Sequence, residues 1–403
     1  MKIVLVTPAY ATTTTKAAVT PVVHYFAKEW VKQGHEVSVF CFDTQFPAFY
    51  YWVSRVLKNR LYSLLGYSIS IYPPKIYDSI EDGVNVHFRS VKKYKPHGRL
   101  SKRQVLHCLK EIDSYCKSNV PDVFIGHWVS PTFEVLPLLG QKYKRPTALV
   151  LHNNTFDIVK SIGPDLDNAL KKIDIIGFRN KTAISNFESA FWTPEKYFLA
   201  YSGVSEYFLT EGLKCIPKTV GKPLRYVFVG SLIDRKYPVE ILDALVNVHK
   251  DGNFEMTYIG DGNCSKTIIE RYESYNRIGT VKLTGRLKRE DIADYLKKAD
   301  VFIMISKGEI FGLVYLEAMA FGLIPIASKN EGMDGIIENG VNGYLCEAGN
   351  VRELSDIISK IESLTPEQFL SISDRAKKTA LSFSDSAVAE SYISQIEKYI
   401  KNE

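Results

Sequence analysis

Close-set cysteine pairs are missing from this sequence. Its six cysteines, Cys41, Cys108, Cys116, Cys215, Cys264 and Cys346, are scattered, and none falls in a Cys/His cluster at metal-ligand spacing. The pattern argues against a disulfide framework or a structural zinc site and points to a reducing compartment. An apolar run long enough to span a bilayer is missing too. The opening stretch, residues 1–6, stops at Thr7-Pro8, which is short for the apolar region of a signal peptide, and no small-residue cleavage site follows. The expected place is the cytoplasm, or the cytoplasmic face of a membrane. There is no internal repeat and no low-complexity segment, so solenoid and tail-like architectures drop out. Neither sign of charge dominates: 51 Lys and Arg face 45 Asp and Glu, a net of +6. With no RNA- or DNA-binding motif beside it, that balance gives no reason to expect a nucleic-acid partner.

What is present is an ordinary globular composition, 45% hydrophobic and 24% charged, on 403 residues. That length suits two domains of roughly 200 residues each. Residues 2–6 read as an apolar strand. Residues 17–33 read as a helix, with Val19, Val22, Val23, Phe26, Ala27, Trp30 and Val31 at helical spacing, and Gly34 stops it before a strand at 37–42. Strand, helix, strand in this order opens a parallel βαβ unit. Further strands are expected at 84–89, 123–126, 147–151 and 182–184. A second series follows, with strands at 225–229, 255–259, 281–284, 301–305 and 324–327 and helices at 239–250, 266–275, 289–299 and 313–321. The alternation predicts an α/β chain of two Rossmann-like, doubly wound parallel sheets. The expected divisions are 1–211, a Gly/Pro/Lys-rich linker at 212–223, 224–380, and a C-terminal helix at 381–403 returning to the first domain. Doubly wound sheets bind ligands outside the carboxyl ends of their strands. Two of them facing one another would share a central cleft, so chemistry is to be sought in the strand-to-helix loops.

The strongest signal follows the expected strand at 301–305. It is Ser306-Lys307-Gly308-Glu309-Ile310-Phe311-Gly312-Leu313-Val314-Tyr315-Leu316-Glu317-Ala318-Met319-Ala320-Phe321-Gly322. Gly312 lets the backbone approach a ligand closely. The N–H groups of Phe311, Gly312, Leu313 and Val314 at the start of the helix, with its dipole, make an anion site suited to a pyrophosphate. Glu309 before the helix and Glu317 inside it can accept hydrogen bonds from sugar hydroxyls. A second signal, Gly230-Ser231-Leu232-Ile233-Asp234-Arg235-Lys236, follows the strand at 225–229 and would place cations beside charge growing on a leaving diphosphate.

In these residues the sequence resembles the GT-B glycosyltransferases, specifically the large retaining family 4. Two Glu separated by seven residues around an FG(L/V) turn, then EAMA-x-G, are that family's signature. The resemblance runs over nearly the whole chain. It implies that Glu309 holds hydroxyls of the donor sugar and acts in catalysis, that Glu317 holds the ribose, and that Lys236 meets the diphosphate. The family's Arg is replaced here by Ser231, and Arg235 is the candidate to supply the guanidinium. Thr284-Gly285-Arg286-Leu287 resembles the loop that holds the base, which makes Gly285, Arg286 and Leu287 donor-binding candidates, and Ser202-Gly203-Val204 resembles a turn near the end of the first domain. His127, at the carboxyl end of the strand at 123–126, is a catalytic candidate, with His152 behind it. The first loop departs from the family: Thr12, Thr13, Thr14, Thr15 and Lys16 stand where many relatives carry a glycine pair. Asp165-Leu166-Asp167 has the form of a metal-binding DxD but precedes a helical segment, as helix-start acids often do, so no catalytic metal is expected. The nucleotide sugar is a substrate, and no cofactor is expected.

Between Phe46 and Arg103 there are eleven Lys and Arg, Arg55, Lys58, Arg60 and Lys95 among them, against three acids, Asp78, Glu81 and Asp82. Aromatics, including Phe49, Trp52, Tyr62 and Tyr67, are interleaved with the cations. The region fits either peripheral docking on an anionic membrane or a satellite core with a solvated charged face; nucleic-acid binding is a third reading, but no RNA- or DNA-binding motif accompanies the charge. The reading as a whole is transfer of a sugar from a UDP- or GDP-sugar, held by the second domain, to a hydroxyl of a glycan or lipid-linked glycan on the first, with retention implied by the resemblance. The alternatives are a sugar-nucleotide epimerase or hydrolase of the same architecture and a non-catalytic sugar-nucleotide-binding partner in polysaccharide assembly.

Overall fold

The computed structural model describes residues 1–11, 21–56, 72–94, 99–152, 166–215 and 223–401. Thr12 to Lys16, Lys58, Arg60, Tyr62, Tyr67, Lys95, Asp165 and most of the 212–223 stretch lie outside the described residues. The chain forms two compact units, one of Met1–Arg179, Ala183–Ala200 and Val388–Glu403, the other of Asn180–Thr182 and Tyr201–Ala387.

The first unit is built on β1 (Lys2–Thr7), α1 (Val22–Lys32), β2 (Glu36–Gln45), α2 (Ala48–Val56), β3 (Tyr77–Glu81), β4 (Val84–Lys92), α3 (Lys102–Cys116), β5 (Val123–His127), α4 (Thr132–Tyr143), β6 (Thr147–Leu151), α5 (Leu166–Leu170), β7 (Ile175–Phe178), α6 (Lys181–Ala190) and β8 (Tyr197–Leu199). Its eight-stranded sheet has the order β3-β4-β2-β1-β5-β6-β7-β8. All neighbours are parallel except β3, which is antiparallel to β4. The central strands are apolar without alternation because helices cover both faces. The order reverses between β1 and β5, so the switch point lies beyond Thr7 and His127.

One expectation for this unit is corrected. Residues 182–184 are not a strand but the first turn of α6; the strand is β7, just before it. Gly177 lies inside β7, where a Cβ would be 2.7 Å from the Phe198 ring, so the glycine is a packing requirement of the strand. The β3–β4 hairpin turns on Asp82-Gly83, both with positive φ (51° and 81°), as a two-residue turn between right-twisted strands requires.

The second unit contains α7 (Glu206–Leu213), β9 (Arg225–Val229), a single 3₁₀ turn (Asp234–Lys236), α8 (Pro238–Val248), β10 (Glu255–Ile259), α9 (Cys264–Ser274), β11 (Thr280–Leu283), α10 (Arg289–Lys298), β12 (Val301–Ile303), α11 (Leu313–Ala320), β13 (Ile324–Ser328), β14 (Tyr344–Cys346), α12 (Val351–Glu362) and α13 (Pro366–Ser382). Its sheet is parallel throughout, β11-β10-β9-β12-β13-β14, and reverses between β9 and β12. Asp300 ties together the amino ends of those two strands: it takes Nε and Nη2 of Arg225, each at 2.9 Å, and the Arg225 N–H at 3.0 Å. The chain passes from one unit to the other at residue 201, upstream of the glycine-rich stretch. Gly212 is not linker backbone: a Cβ on it would stand 2.1 Å from the Ala320 carbonyl oxygen, so it is where α7 packs on α11. The last helix, α14 (Asp385–Lys401), belongs to the first unit from Val388 onward. There the Trp30 indole N–H donates to the Ala389 carbonyl at 2.8 Å, and buried Tyr392 meets the Phe26 and Trp30 rings edge-on at 5.1 and 4.9 Å.

Candidate active site

The loops after β9, β10, β11 and β12 lie at one end of the second sheet and hold each other by backbone contacts. Gly230 donates to the Ile259 carbonyl at 2.9 Å, Leu232 to Asp261 at 3.1 Å and Gly260 to Gly285 at 2.9 Å. A Cβ on Gly260 would fall 1.8 Å from the Gly230 carbonyl oxygen, and one on Gly262 2.1 Å from that of Leu232. Gly260-Asp261-Gly262 carries little signal in the sequence, yet its glycines let the β10 loop lie directly on the loop that carries Lys236.

That loop ends in the 3₁₀ turn, which brings the Lys236 ammonium 3.4 Å from Glu309 Oε2 and 3.4 Å from Met304 Sδ. Gly230 leaves room for it, since a Cβ there would sit 3.1 Å from Nζ. Ser231 is exposed. Arg235 lies farther from the carboxylate, Nη1 to Oε2 3.8 Å, and spends its hydrogen bonds on the loop itself: Nη1 donates to the Lys307 and Gly308 carbonyls at 3.2 and 3.5 Å. Its carbonyl accepts the Lys307 N–H at 2.7 Å. Arg235 is thus a clasp on the Glu309 loop more than a free guanidinium.

Around Glu309 nearly every backbone group is held. The Gly308 and Glu309 N–H groups donate to the two oxygens of the Glu331 carboxylate at 2.9 and 2.7 Å, and Gly332 N–H donates to the Glu309 carbonyl at 2.8 Å. The side-chain amide of Asn180, itself buried, donates to the Ile310 carbonyl. The Glu309 side chain is the contrast. Its Oε2 is buried and accepts no hydrogen bond among the described residues, with only the Lys236 and Arg235 cations near it. A buried carboxylate oxygen left without a donor is costly and calls for a hydroxyl or N–H from a ligand.

Gly312 adopts φ 79°, the left-handed region, and α11 starts directly after it with no side-chain cap. A Cβ on Gly312 would strike the Tyr315 ring at 2.6 Å, so the turn requires glycine. The first N–H groups of the helix, from Leu313 and Val314, have no acceptor within the helix, and its dipole favours an anion at that end. Phe311 is buried, its ring 5.8 Å from that of Tyr201. Further along, the buried Glu317 carboxylate receives Nη2 of Arg289 from the start of α10. The Arg289 guanidinium also lies 5.3 Å above the Phe208 ring. Gly285 takes φ 72° with open space where a Cβ would be, Arg286 is exposed and Leu287 is half-buried.

His127 requires a correction. It ends β5 as expected but is fully buried, with Nδ1 2.8 Å from His152 Nε2 and Nε2 3.3 Å from the Tyr392 hydroxyl. With both ring nitrogens occupied inside the first unit, it presents nothing to a ligand. Burial, reinforced by the Arg179 charge, pushes its pKa down from 6.5 to about 3, so the ring is neutral. His152 is the more accessible of the pair; its ring stacks on Trp128 at 4.2 Å.

Asn180, Arg289 and Glu331 are not singled out by the sequence. Each acts on a partner far along the chain, and no local spacing marks them. Among the described residues no three His, Cys, Asp or Glu side chains are placed to hold a metal ion.

Two doubly wound parallel sheets, the second carrying a glycine-turned helix start, a lysine and two acids at its switch point, define the GT-B fold of nucleotide-sugar glycosyltransferases. Residues 215–379 match the family "Glycosyl transferases group 1", and the second unit is a domain of that family. An uncharacterized glycosyltransferase of Methanocaldococcus jannaschii, MJ1178, is 27% identical over 299 residues, 71% of this chain and 78% of that protein. The N,N'-diacetylbacillosaminyl-diphospho-undecaprenol alpha-1,3-N-acetylgalactosaminyltransferase of Campylobacter jejuni is 26% identical over 249 residues, 54% of this chain and 64% of its own length. Among solved structures, HepE of Anabaena in complex with UDP is similar in fold, with a TM-score of 0.68 at 15% identity over 99% of this chain and all of its own.

Proposed function

We propose that this chain transfers a sugar from a UDP- or GDP-sugar to a hydroxyl of a glycan or lipid-linked glycan. One observation carries the reading: the buried Glu309 oxygen that accepts no hydrogen bond stands 3.4 Å from the Lys236 ammonium. The donor's diphosphate lies against the Leu313 and Val314 N–H groups, with Lys236 beside it. Glu309 takes hydroxyls of the transferred sugar, Glu317 the ribose, and the loop from Gly285 to Leu287 the base. The barrier is departure of the nucleoside diphosphate as positive charge grows on the anomeric carbon. Lys236 and the helix N-terminus stabilise the negative charge that leaves, without a metal ion. Of the two bases UDP is favoured, because HepE was solved with it. A lipid-linked acceptor is favoured by the diphospho-undecaprenol in the name of the Campylobacter relative. Retention of configuration belongs to the same proposal.

Docking on an anionic membrane goes with a lipid-linked acceptor. On α2, Phe49, Trp52 and Val56 are 64%, 62% and 63% exposed at helical spacing, and the Arg55 guanidinium lies 5.3 Å over the Tyr72 ring. An exposed apolar stripe beside cations suits the headgroup boundary. Co-sedimentation with anionic liposomes, lost on charge reversal of Arg55, Lys58 and Arg60, supports docking; no binding by the wild type ends it.

The reading is tested by a thermal-shift screen of UDP-, GDP- and ADP-sugars followed by product analysis with and without acceptor. A UDP- or GDP-sugar that stabilises the protein and yields a glycosylated acceptor supports it. Epimerised or hydrolysed donor with no transfer product over a broad acceptor panel contradicts it.

A further inference from the structure

We propose that Glu331 is a positioning residue of the donor site: its carboxylate fixes the loop that aims Glu309, and the proposal rests on the reading of Glu309 as a donor-sugar ligand. Glu331 follows β13, the strand next to β12 in the sheet, and so comes from the β13–β14 connection, not from the loop it holds. Its two oxygens are used separately, Oε1 for the Gly308 N–H at 2.9 Å and Oε2 for the Glu309 N–H at 2.7 Å. The next residue completes the grip from the other side, since the Gly332 N–H donates to the Glu309 carbonyl at 2.8 Å. Gly332 lies so close that a Cβ would stand 2.6 Å from the Phe311 Cα and N. The clamp is itself braced: Asn330 N–H donates to Asp334 Oδ2 at 2.6 Å, and Asp334 N–H returns to the Glu331 carbonyl at 2.9 Å.

The chemistry explains why a carboxylate stands here. Two neighbouring backbone N–H groups need two acceptors in one plane, and only an ionised carboxyl offers two acceptors and no donor. An amide of the same shape would turn an NH₂ group toward one of the two N–H groups. Burial works against this arrangement and raises the Glu331 pKa, with the Glu309 charge adding to it and the Arg235 charge opposing it. A second carboxylate is therefore held close to Glu309 despite like charge, and the two amides it captures are the compensation. Because these amides are taken by Glu331, the N–H groups left for the diphosphate are those of the helix start. Sugar and diphosphate thus rest on separate supports, and Glu331 serves only the first.

The test compares Glu331→Gln and Glu331→Ala with the wild type in donor turnover, UDP affinity by calorimetry and melting temperature, with Glu309→Ala as the control. Both Glu331 variants are expected to lose about 10- to 100-fold in turnover, the cost of misplacing a positioned group by a fraction of an ångström to an ångström. UDP affinity should stay within about threefold, since the helix start is untouched. A residue that merely fills space would tolerate the isosteric Gln, so wild-type turnover in Glu331→Gln overturns the proposal. So does a fall in UDP affinity in step with turnover, which means general loosening of the unit. Full activity in Glu309→Ala removes the donor-site reading itself. An inactive Glu309→Ala beside a fully active Glu331→Gln removes only the role of Glu331.

Discussion

The Lys236 ammonium stands 3.4 Å from the Glu309 carboxylate, and both side chains are largely buried. In the proposed reaction the lysine answers to two anions in turn, the carboxylate before the donor binds and the leaving diphosphate during transfer. Lys236→Met keeps the stem and removes the charge. Turnover is expected to fall by about 10²–10³, the range seen when one preorganised electrostatic group is deleted. Arg235 is more exposed and 3.8 Å from the same oxygen, so Arg235→Ala should cost only a few-fold, in line with an exposed pair worth about 1 kcal/mol or less. Initial rates of nucleotide release measure both, and equal losses would contradict the division of roles.

Gly230→Ala probes the same ammonium from behind. The added methyl would meet Nζ at 3.1 Å, close enough that the lysine must move. Turnover is expected to drop roughly tenfold or more through displacement of Nζ. The melting temperature should fall as well, because Gly230 holds φ 155°, a backbone conformation that L side chains rarely adopt.

Arg289→Met leaves the buried Glu317 carboxylate without its guanidinium. Stability should fall by about 1–3 kcal/mol, the cost of stranding a buried acceptor. UDP affinity should fall too if Glu317 takes the ribose. Urea denaturation and calorimetry read the two effects; a stable variant with normal UDP affinity would count against this placement of Glu317.

His127 sets a pH dependence. Its pKa is lowered from 6.5 to about 3 in the folded protein, so the unfolded chain binds the extra proton first as the pH falls. Above 6.5 both states are neutral there and the group contributes no slope; from 6.5 down toward 3 protonation favours unfolding and stability declines. His152, also held well below 6.5, adds in the same direction. Urea midpoints between pH 7 and 4.5 should fall more steeply for the wild type than for His127→Gln, and parallel slopes would contradict the assignment.

Much of the second unit is legible in the sequence because its strands are continuous apolar runs ended by turns. Its strands at 225–229 and 255–259 coincide end to end with those observed, as does the strand at 147–151 of the first unit. Glu309 and Lys236 are legible because each belongs to a local pattern, a glycine-turned helix start and a short turn after a strand. The misreadings and omissions share a physical source, residues whose role is set by tertiary contacts. Gly212 reads as the start of a linker but is a point where a neighbouring helix presses on the backbone. His127 looks like a ligand-facing residue because its strand ends at the switch point, but α14, far along the chain, brings Tyr392 over it. Glu331, Arg289 and Asn180 reach partners 22, 28 and 130 residues away, and no local spacing encodes such pairings.

The most direct measurement is UDP-sugar turnover by Glu309→Ala, taken together with its affinity for UDP. The account expects turnover to fall at least about 100-fold while UDP still binds, because the carboxylate serves the sugar and the helix start serves the diphosphate. Wild-type turnover in that variant would contradict it.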